Sequence, residues 1–306
     1  MGASSQDFYA DAHLYDVLHA GGTRREVSVH LAIARAHLPR TARHHTIFEP
    51  ASGTGRYLID LARRGHTCLG IDLLPAMTRY ARAAARRALA HTARTPPTLL
   101  TGDMCRFTWP ARIGPADWSF CPINSIRHLR SDAQMLAHLR LVRRHTRPGG
   151  LYIVGLEVID PPLLQPTEDV WHGRVPGLSV RQIVQYLPPE EHHAADARSR
   201  HRFEQVISHL VVKQRNQARG SLQIPTPRGR DKGGALPPLT TRRSSLVAPL
   251  STRHIDSVYT LRTYTLGQWL GVIHRSGWSL LATYNAEGTL RPRATLGYYL
   301  WVLRAP

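Results

Sequence analysis

The stretch Phe48-Glu49-Pro50-Ala51-Ser52-Gly53-Thr54-Gly55-Arg56 decides the fold. Before it, the apolar run Thr46 to Glu49 reads as a short strand; after it, Tyr57 to Arg64 reads as a helix closed by Gly65. Small residues at such a junction let a backbone approach a ligand closely, and glycine takes dihedrals that other residues avoid. Downstream, Thr67 to Asp72 reads as a second strand ending in an acid. That places a carboxylate about 20 residues after the glycine turn, the spacing at which an acid meets ribose hydroxyls in doubly wound nucleotide sites.

The alternation continues outward. Pro75 opens an Ala- and Arg-rich helix running to about His91, and strands are predicted over Thr98 to Gly102 and Trp118 to Ile123. Ser131 and Gln134 form an S-x-x-Q box opening a helix that ends at Arg147-Pro148-Gly149-Gly150, before a fifth strand over Leu151 to Leu156. Upstream, Thr23 and Glu26 form a T-x-x-E box ahead of Val27, Leu31, Ala34 and Leu38 at helical spacing, and Pro39 stops the run. Strands alternating with helices imply a parallel sheet with crossover helices.

After Glu157 the period changes. Leu178 to Leu187 and Arg202 to Lys213 alternate apolar and polar residues, as antiparallel strands with one open face do. Residues 214–250, rich in Arg, Pro, Gly, Ser and Thr, read as a flexible loop. Val258 to Tyr264 reads as a strand, Thr265 and Gln268 cap a helix ended by Gly277, and Trp278 to Tyr284 and Thr295 to Leu303 read as two last strands. The expected organisation is a core over 1–157, a β-rich lid over 158–257, and a segment over 258–306 that completes the core.

The chain has 306 residues, 42% of them hydrophobic, which is enough for a packed globule. Forty Lys and Arg against 21 Asp and Glu give a net charge of +19, which permits a polyanionic partner. The charge is spread along the chain rather than gathered in a block, so a solvated surface is the preferred reading. Three scattered cysteines, Cys68, Cys105 and Cys121, make no C-x-x-C pair and suit a reducing compartment. The adjacent pairs His44-His45 and His192-His193 do not share a helix face, and no metal site is expected. No signal peptide and no apolar run long enough to span a membrane is read, so a cytoplasmic location is expected.

Leu58 stands where G-x-G-x-x-G needs its third glycine, and no G-x-x-x-x-G-K-[ST] occurs, so neither a dinucleotide fingerprint nor a phosphate loop is present. A nucleoside ligand held by carboxylates remains. Here the chain resembles the class I S-adenosylmethionine-dependent methyltransferases. Glu49–Gly55 is similar to their first motif, Gly70-Ile71-Asp72 to the second, Gly102-Asp103-Met104 to the third and Asp117 through Asn124 to the fourth. The resemblance covers 46–157 and 258–303. It implies a Rossmann-like seven-stranded α/β sheet with helices on both faces, and an antiparallel β insertion. It implies S-adenosyl-L-methionine as cofactor, with Glu49 and the backbone near Gly53 and Gly55 at the methionine part, Asp72 at the ribose, Asp103 and Met104 at adenine, and Ala51 and Leu73 as further cofactor-binding residues. Pro122 and Asn124 would lie beneath the methyl group, and Tyr9 and Tyr15 would close over the cofactor.

The fourth-strand loop, Cys121-Pro122-Ile123-Asn124-Ser125, is neither N-P-P-[YF] nor the Pro-Cys order of cytosine-5 enzymes, which disfavours a nucleobase acceptor. Asn124-Ser125-Ile126-Arg127-His128-Leu129 resembles the N-S-x-x-H-L run of small-molecule members. His128 is the candidate general base, with Tyr15 as a second catalytic candidate. Trp171, Arg181 and Tyr186 of the lid are candidates for the acceptor pocket, set against plain packing of Trp171 and Tyr186 in the lid core. The expectation is methyl transfer to a nitrogen or oxygen of a small molecule. Two alternatives stand beside it: an RNA methyltransferase that uses the basic loop, and a catalytically silent cofactor-binding module.

Overall fold

The computed structural model describes residues 7–39, 44–160, 163–189, 202–215 and 250–306. Most of the basic segment predicted as a loop therefore lies outside the described residues, as does the pair His192-His193.

The chain begins with two short helices, α1 (Asp7–Ala10) and α2 (Ala12–His19), and then α3 (Thr23–His37). The core follows as β1 (Thr46–Pro50), α4 (Arg56–Arg63), β2 (Thr67–Asp72), α5 (Pro75–Leu89), β3 (Thr98–Thr101), β4 (Ala116–Cys121), a 3-10 turn (Ser125–His128), α6 (Asp132–Arg144) and β5 (Thr146–Val158). A four-stranded insertion comes next: β6 (Thr167–Val175), β7 (Leu178–Leu187), β8 (Phe203–Arg215) and β9 (Leu250–Arg262). The chain returns through α7 (Leu266–Ser276), β10 (Ser279–Tyr284) and β11 (Gly297–Arg304).

The large sheet has the order β10-β11-β5-β4-β1-β2-β3. β1 to β5 run parallel, while β11 pairs antiparallel with both β5 and β10. Neighbouring strand residues feed opposite faces, because side chains alternate along a strand. Phe48 packs with Met135, Leu139, Trp269 and Ile273 of α6 and α7, whereas Ile47 packs with Leu31, Leu61 and Ala81 of α3, α4 and α5. The mixed α/β sheet covered on both faces is the expected architecture, and the insertion is an antiparallel sheet in the order β6-β7-β8-β9.

Helix α2 lays Leu14 and Leu18 against Leu178, Val180, Leu210 and Val212 of this second sheet. Gly173 on β6 makes the contact possible, since a Cβ there would lie 2.1 Å from the Val17 carbonyl oxygen. The N-terminal helices and the insertion thus share one apolar core.

Three local expectations need correction. Thr23 does not cap α3: the capping residue is Gly22 at φ +82°, and the Thr23 hydroxyl donates to the Ala20 carbonyl at 2.8 Å. Glu26 is taken instead by an ion pair with Arg56 at 2.8 Å and by the Tyr57 hydroxyl. Arg147-Pro148-Gly149-Gly150 does not end a helix: α6 stops at Arg144, and these residues already lie in β5. Strand β6 was not anticipated.

Candidate functional site

The turn from β1 to α4 holds three residues in the left-handed region, Ala51 (φ +56°), Gly53 (+52°) and Gly55 (+72°). The Gly53 N–H donates to Asp72 Oδ2 at 2.8 Å, and the Leu74 N–H donates to Asp72 Oδ1 at 2.9 Å. The second-strand acid therefore locks the turn and still has lone pairs for a ligand. Burial raises the Asp72 pKa, and the two backbone donors oppose that rise. Leu73 beside it is 67% exposed, an apolar surface next to the acid.

Glu49 is 2% exposed, and its Oε2 has no hydrogen-bond partner among the described residues. Burial pushes its pKa well up, while the Arg56 guanidinium works the other way. A buried acceptor without a donor is costly, by about 1–3 kcal/mol or more when charged. A cationic ligand group would satisfy it.

Past the end of β3, Asp103 accepts from the Cys105 N–H at 2.8 Å and from Arg106 Nε at 3.1 Å. The Met104 carbonyl is held by His138 Nδ1 at 2.9 Å, and His138 Nε2 meets the Tyr152 hydroxyl at 2.7 Å. A carbonyl only accepts, so Nδ1 carries the proton and Nε2 accepts from Tyr152. His138 is fully buried and its pKa is lowered to about 4, chiefly by that burial.

After β4, Ile123 and Asn124 both sit at φ +57°. Asn124 Oδ1 accepts from the Glu157 N–H at 2.9 Å, and the Ile123 N–H donates to the Tyr298 hydroxyl at 3.1 Å. Consecutive left-handed residues, one of them β-branched, are strained, and such strain collects at functional sites.

Tyr15 on α2 lies over the β1–α4 turn, its Cε1 3.7 Å from where a Gly53 Cβ would be. Burial lifts its pKa to about 12; Arg56 lowers it, and Asp72 and Glu49 add to the rise. Its ring meets those of Tyr9 at 5.9 Å and His19 at 4.4 Å. The Tyr9 hydroxyl is 3.3 Å from His128 Nε2. His128, expected near its ordinary value, is instead lowered to about 4 by burial and by Arg127 and Arg130. His128 keeps exposed surface, while its ring lies 5.8 Å from that of Tyr9 and 5.7 Å from that of Tyr259, so it is crowded yet reachable.

The three lid candidates separate. Tyr186 packs beside Val184, Val206, Leu261 and Tyr259. Trp171 is 40% exposed, with its ring 5.4 Å from His19. Arg181 is exposed between buried Val180 and Gln182, on the opposite face of β7, and the structure does not bring it to the others. Sequence reading missed Tyr259, Arg127 and Arg56. Arg127 is 1% exposed between Glu204 at 2.6 Å and Glu157 at 3.3 Å. No spacing marks these three; His128 and Gly55 adjoin Arg127 and Arg56 in sequence and hinted at those two, while nothing nearby in sequence pointed to Tyr259. An open groove of about 560 Å³, lined by Asp11, His13, Arg79, Tyr80 and Arg253, lies beside the N-terminal helices and includes none of the predicted site residues.

Glu49, Asp72 and Asp103 thus come from the carboxyl ends of successive parallel strands, where open α/β sheets bind ligands. These residues fit S-adenosylmethionine: a buried unsatisfied carboxylate for its ammonium, and an acid beside an apolar surface for its nucleoside.

Residues 47–150 match the family model described as a methyltransferase domain. Among curated proteins, the chain is 33% identical over 147 residues to dTDP-3-amino-3,6-dideoxy-alpha-D-glucopyranose N,N-dimethyltransferase of Streptomyces fradiae. That match covers 47% of this chain and 51% of the relative, so the chain spans about half the length of the curated relative it matches. Among solved structures, an S-adenosylmethionine-dependent methyltransferase from Clostridium acetobutylicum ATCC 824 superposes with a TM-score of 0.62 at 11% identity, over 96% of each chain. CalS10, an amino pentose methyltransferase from Micromonospora echinaspora solved with S-adenosylmethionine bound, superposes with a TM-score of 0.55 at 18% identity, over 92% of this chain and 90% of that one. In the strand-end acids, the glycine turn and the core matched over residues 47–150, this chain is similar to S-adenosylmethionine-dependent methyltransferases and shares their fold.

Proposed function

We propose that this chain transfers a methyl group from S-adenosylmethionine to a small molecule, and that the acceptor atom is an amine nitrogen of an amino sugar. The observation that carries the reading is the convergence of Glu49, Asp72 and the His128–Tyr9 pair beneath Tyr15. Bound there, the cofactor supplies a methyl on a positively charged sulfur for in-line transfer.

The chain's own residues then orient and enclose. Glu49 receives the ammonium, Asp72 the ribose hydroxyls, and Asp103 with the Met104 backbone the adenine edge. Tyr15 and the second sheet exclude water, and orientation supplies most of the acceleration. His128 separates nitrogen from oxygen as acceptor. A hydroxyl needs a base to become nucleophilic, and an imidazole lowered to about 4 is a poor one. An amine brings its own lone pair, and burial favours its neutral form. His128 and Tyr9 then need only hold an N–H of the amine. The Streptomyces fradiae relative, an N,N-dimethyltransferase of a dTDP-linked amino sugar, supports the same choice.

Calorimetric titration with S-adenosylmethionine tests the cofactor half. The unchanged chain is expected to bind, and Asp72→Ala to lose at least tenfold in affinity, since a hydrogen bond to a charged group is worth about 1.5–3 kcal/mol. Equal affinities would remove Asp72 from the site. Mass spectrometry on a panel of amino sugars and their hydroxyl counterparts tests the acceptor; methylation of hydroxyls alone would overturn the amine reading.

A further inference from the structure

The turn that carries His128 is held from the second sheet by two consecutive residues. Arg127 reaches across to Glu204 of β8 and donates from Nε to the Arg262 carbonyl at 2.8 Å. His128 meets β9: the Tyr259 ring lies 5.7 Å from it at an interplanar angle of 29°. Tyr259 pairs in register with Val206, and Glu204 with Leu261, so Glu204 and Tyr259 project from the same face. Tyr259 also reaches Tyr9, ring to ring at 6.1 Å and through a hydrogen bond between the hydroxyls. Tyr9 in turn bonds to His128 Nε2.

We propose that Tyr259 is a positioning residue of the methyl-transfer site, its ring fixing the tilt of His128 and its hydroxyl fixing the Tyr9 hydroxyl that bonds to that imidazole. The proposal rests on the reading of His128 and Tyr9 as reaction-site groups. Without a ring against its face, the imidazole is free to turn about two side-chain bonds, and the Tyr9 hydroxyl loses its second partner. Misplacing a group by about 1 Å can cost about a hundredfold in rate. The groups around His128 are Tyr9, Tyr259, Arg127 and Arg130, with Glu157 and Glu204 offsetting Arg127, so its proton affinity depends on the same packing. The insertion is then part of the reaction site as well as its cover.

The test uses the full chain with Tyr259→Phe and Tyr259→Leu, each alone and combined with His128→Ala. Expected for Tyr259→Leu is a fall in kcat of about 30-fold, with acceptor KM and S-adenosylmethionine affinity within about twofold. Tyr259→Phe keeps the ring and loses about fivefold. In the His128→Ala background Tyr259→Leu should cost nothing further, because residues acting as a unit are not additive. NMR titration should show the His128 pKa rising from about 4 toward its ordinary value in Tyr259→Leu. Equal losses with and without His128, or an unmoved His128 pKa, would overturn the proposal. Should Tyr259→Leu not fold, Tyr259→Phe decides, and an unchanged kcat there overturns it. If the unchanged chain turns over no acceptor, the functional reading fails by itself, and the NMR titration still decides whether Tyr259 sets the state of His128.

Discussion

Ile123 shows how one residue records its surroundings. Its φ of +57° is a conformation that a β-branched side chain avoids, and the side chain is 43% exposed, so burial does not explain its place. What holds the backbone there is its N–H to Tyr298 and the next residue's side chain to Glu157. Relieving left-handed strain returns about 1–2 kcal/mol, and glycine's extra unfolded-state entropy takes back about 0.5–1. Ile123→Gly is therefore expected to raise stability by up to about 1 kcal/mol in urea unfolding while lowering kcat, because the loop under the acceptor loosens. A variant destabilised by more than about 1 kcal/mol would mean that the Ile123 side chain has a packing role. Residue-scale legibility was uneven for a related reason. Asp72 ends a strand about 20 residues after the glycine turn, so spacing exposed it, while Glu49 and His128 stand in short runs that resemble methyltransferase motifs. Tyr259 lies 131 residues beyond His128, and only the folded sheet brings the two together.

At the scale of elements, the contact of α2 with β6 depends on Gly173. A Cβ there would also lie 2.5 Å from the Val17 carbonyl carbon and 2.8 Å from the Leu18 nitrogen, all backbone atoms that cannot rotate away. Gly173→Ala is expected to push α2 off the sheet at a cost of about 1–3 kcal/mol. Because α2 carries Tyr15, affinity for S-adenosylmethionine should fall in the same variant. Thermal melts and calorimetry check both; lower stability with unchanged affinity would show that Tyr15 does not depend on where α2 sits. Strand–helix alternation made β1 through β5 readable because the inner strands are buried on both faces and apolar residues recur at helical spacing between them. β6 escaped because it is an edge strand whose residues are nearly all exposed, so Thr167 to Val175 has no apolar alternation. The start of β5 escaped because Pro-Gly-Gly reads as a turn when nothing shows that β4 and β11 lie alongside.

Across the whole molecule, several histidines share one electrostatic state. His19, His66, His128 and His138 are each lowered to about 4, in every case chiefly by burial. A histidine with a folded pKa below its unfolded value near 6.5 binds its proton more readily in the unfolded chain. The stability tied to neutral rings is present above about pH 6.5 and is lost as pH falls toward about 4. The melting temperature should therefore drop steadily from pH 7 to pH 5, and His138→Gln should flatten that slope even if it is less stable at pH 7. A slope unaffected by His138→Gln would place the titration elsewhere. The net charge of +19 adds self-repulsion in the same direction, which raised salt screens, whereas the burial effect persists in salt.

The order of the large sheet also has a meaning in time. β5 lies between β4 and β11, yet β11 follows it in sequence only after the whole insertion, α7 and β10. During synthesis β5 therefore emerges with one edge unpaired, and its apolar residues Tyr152, Ile153, Val154 and Leu156, none of them accessible in the finished sheet, are uncovered. An open apolar edge is a template for joining another chain. At about 5–20 residues per second, that edge waits for about 7–28 seconds before β11 is made. Slower translation of the insertion lengthens the wait, so soluble yield is tied to the speed at which a surface element is made.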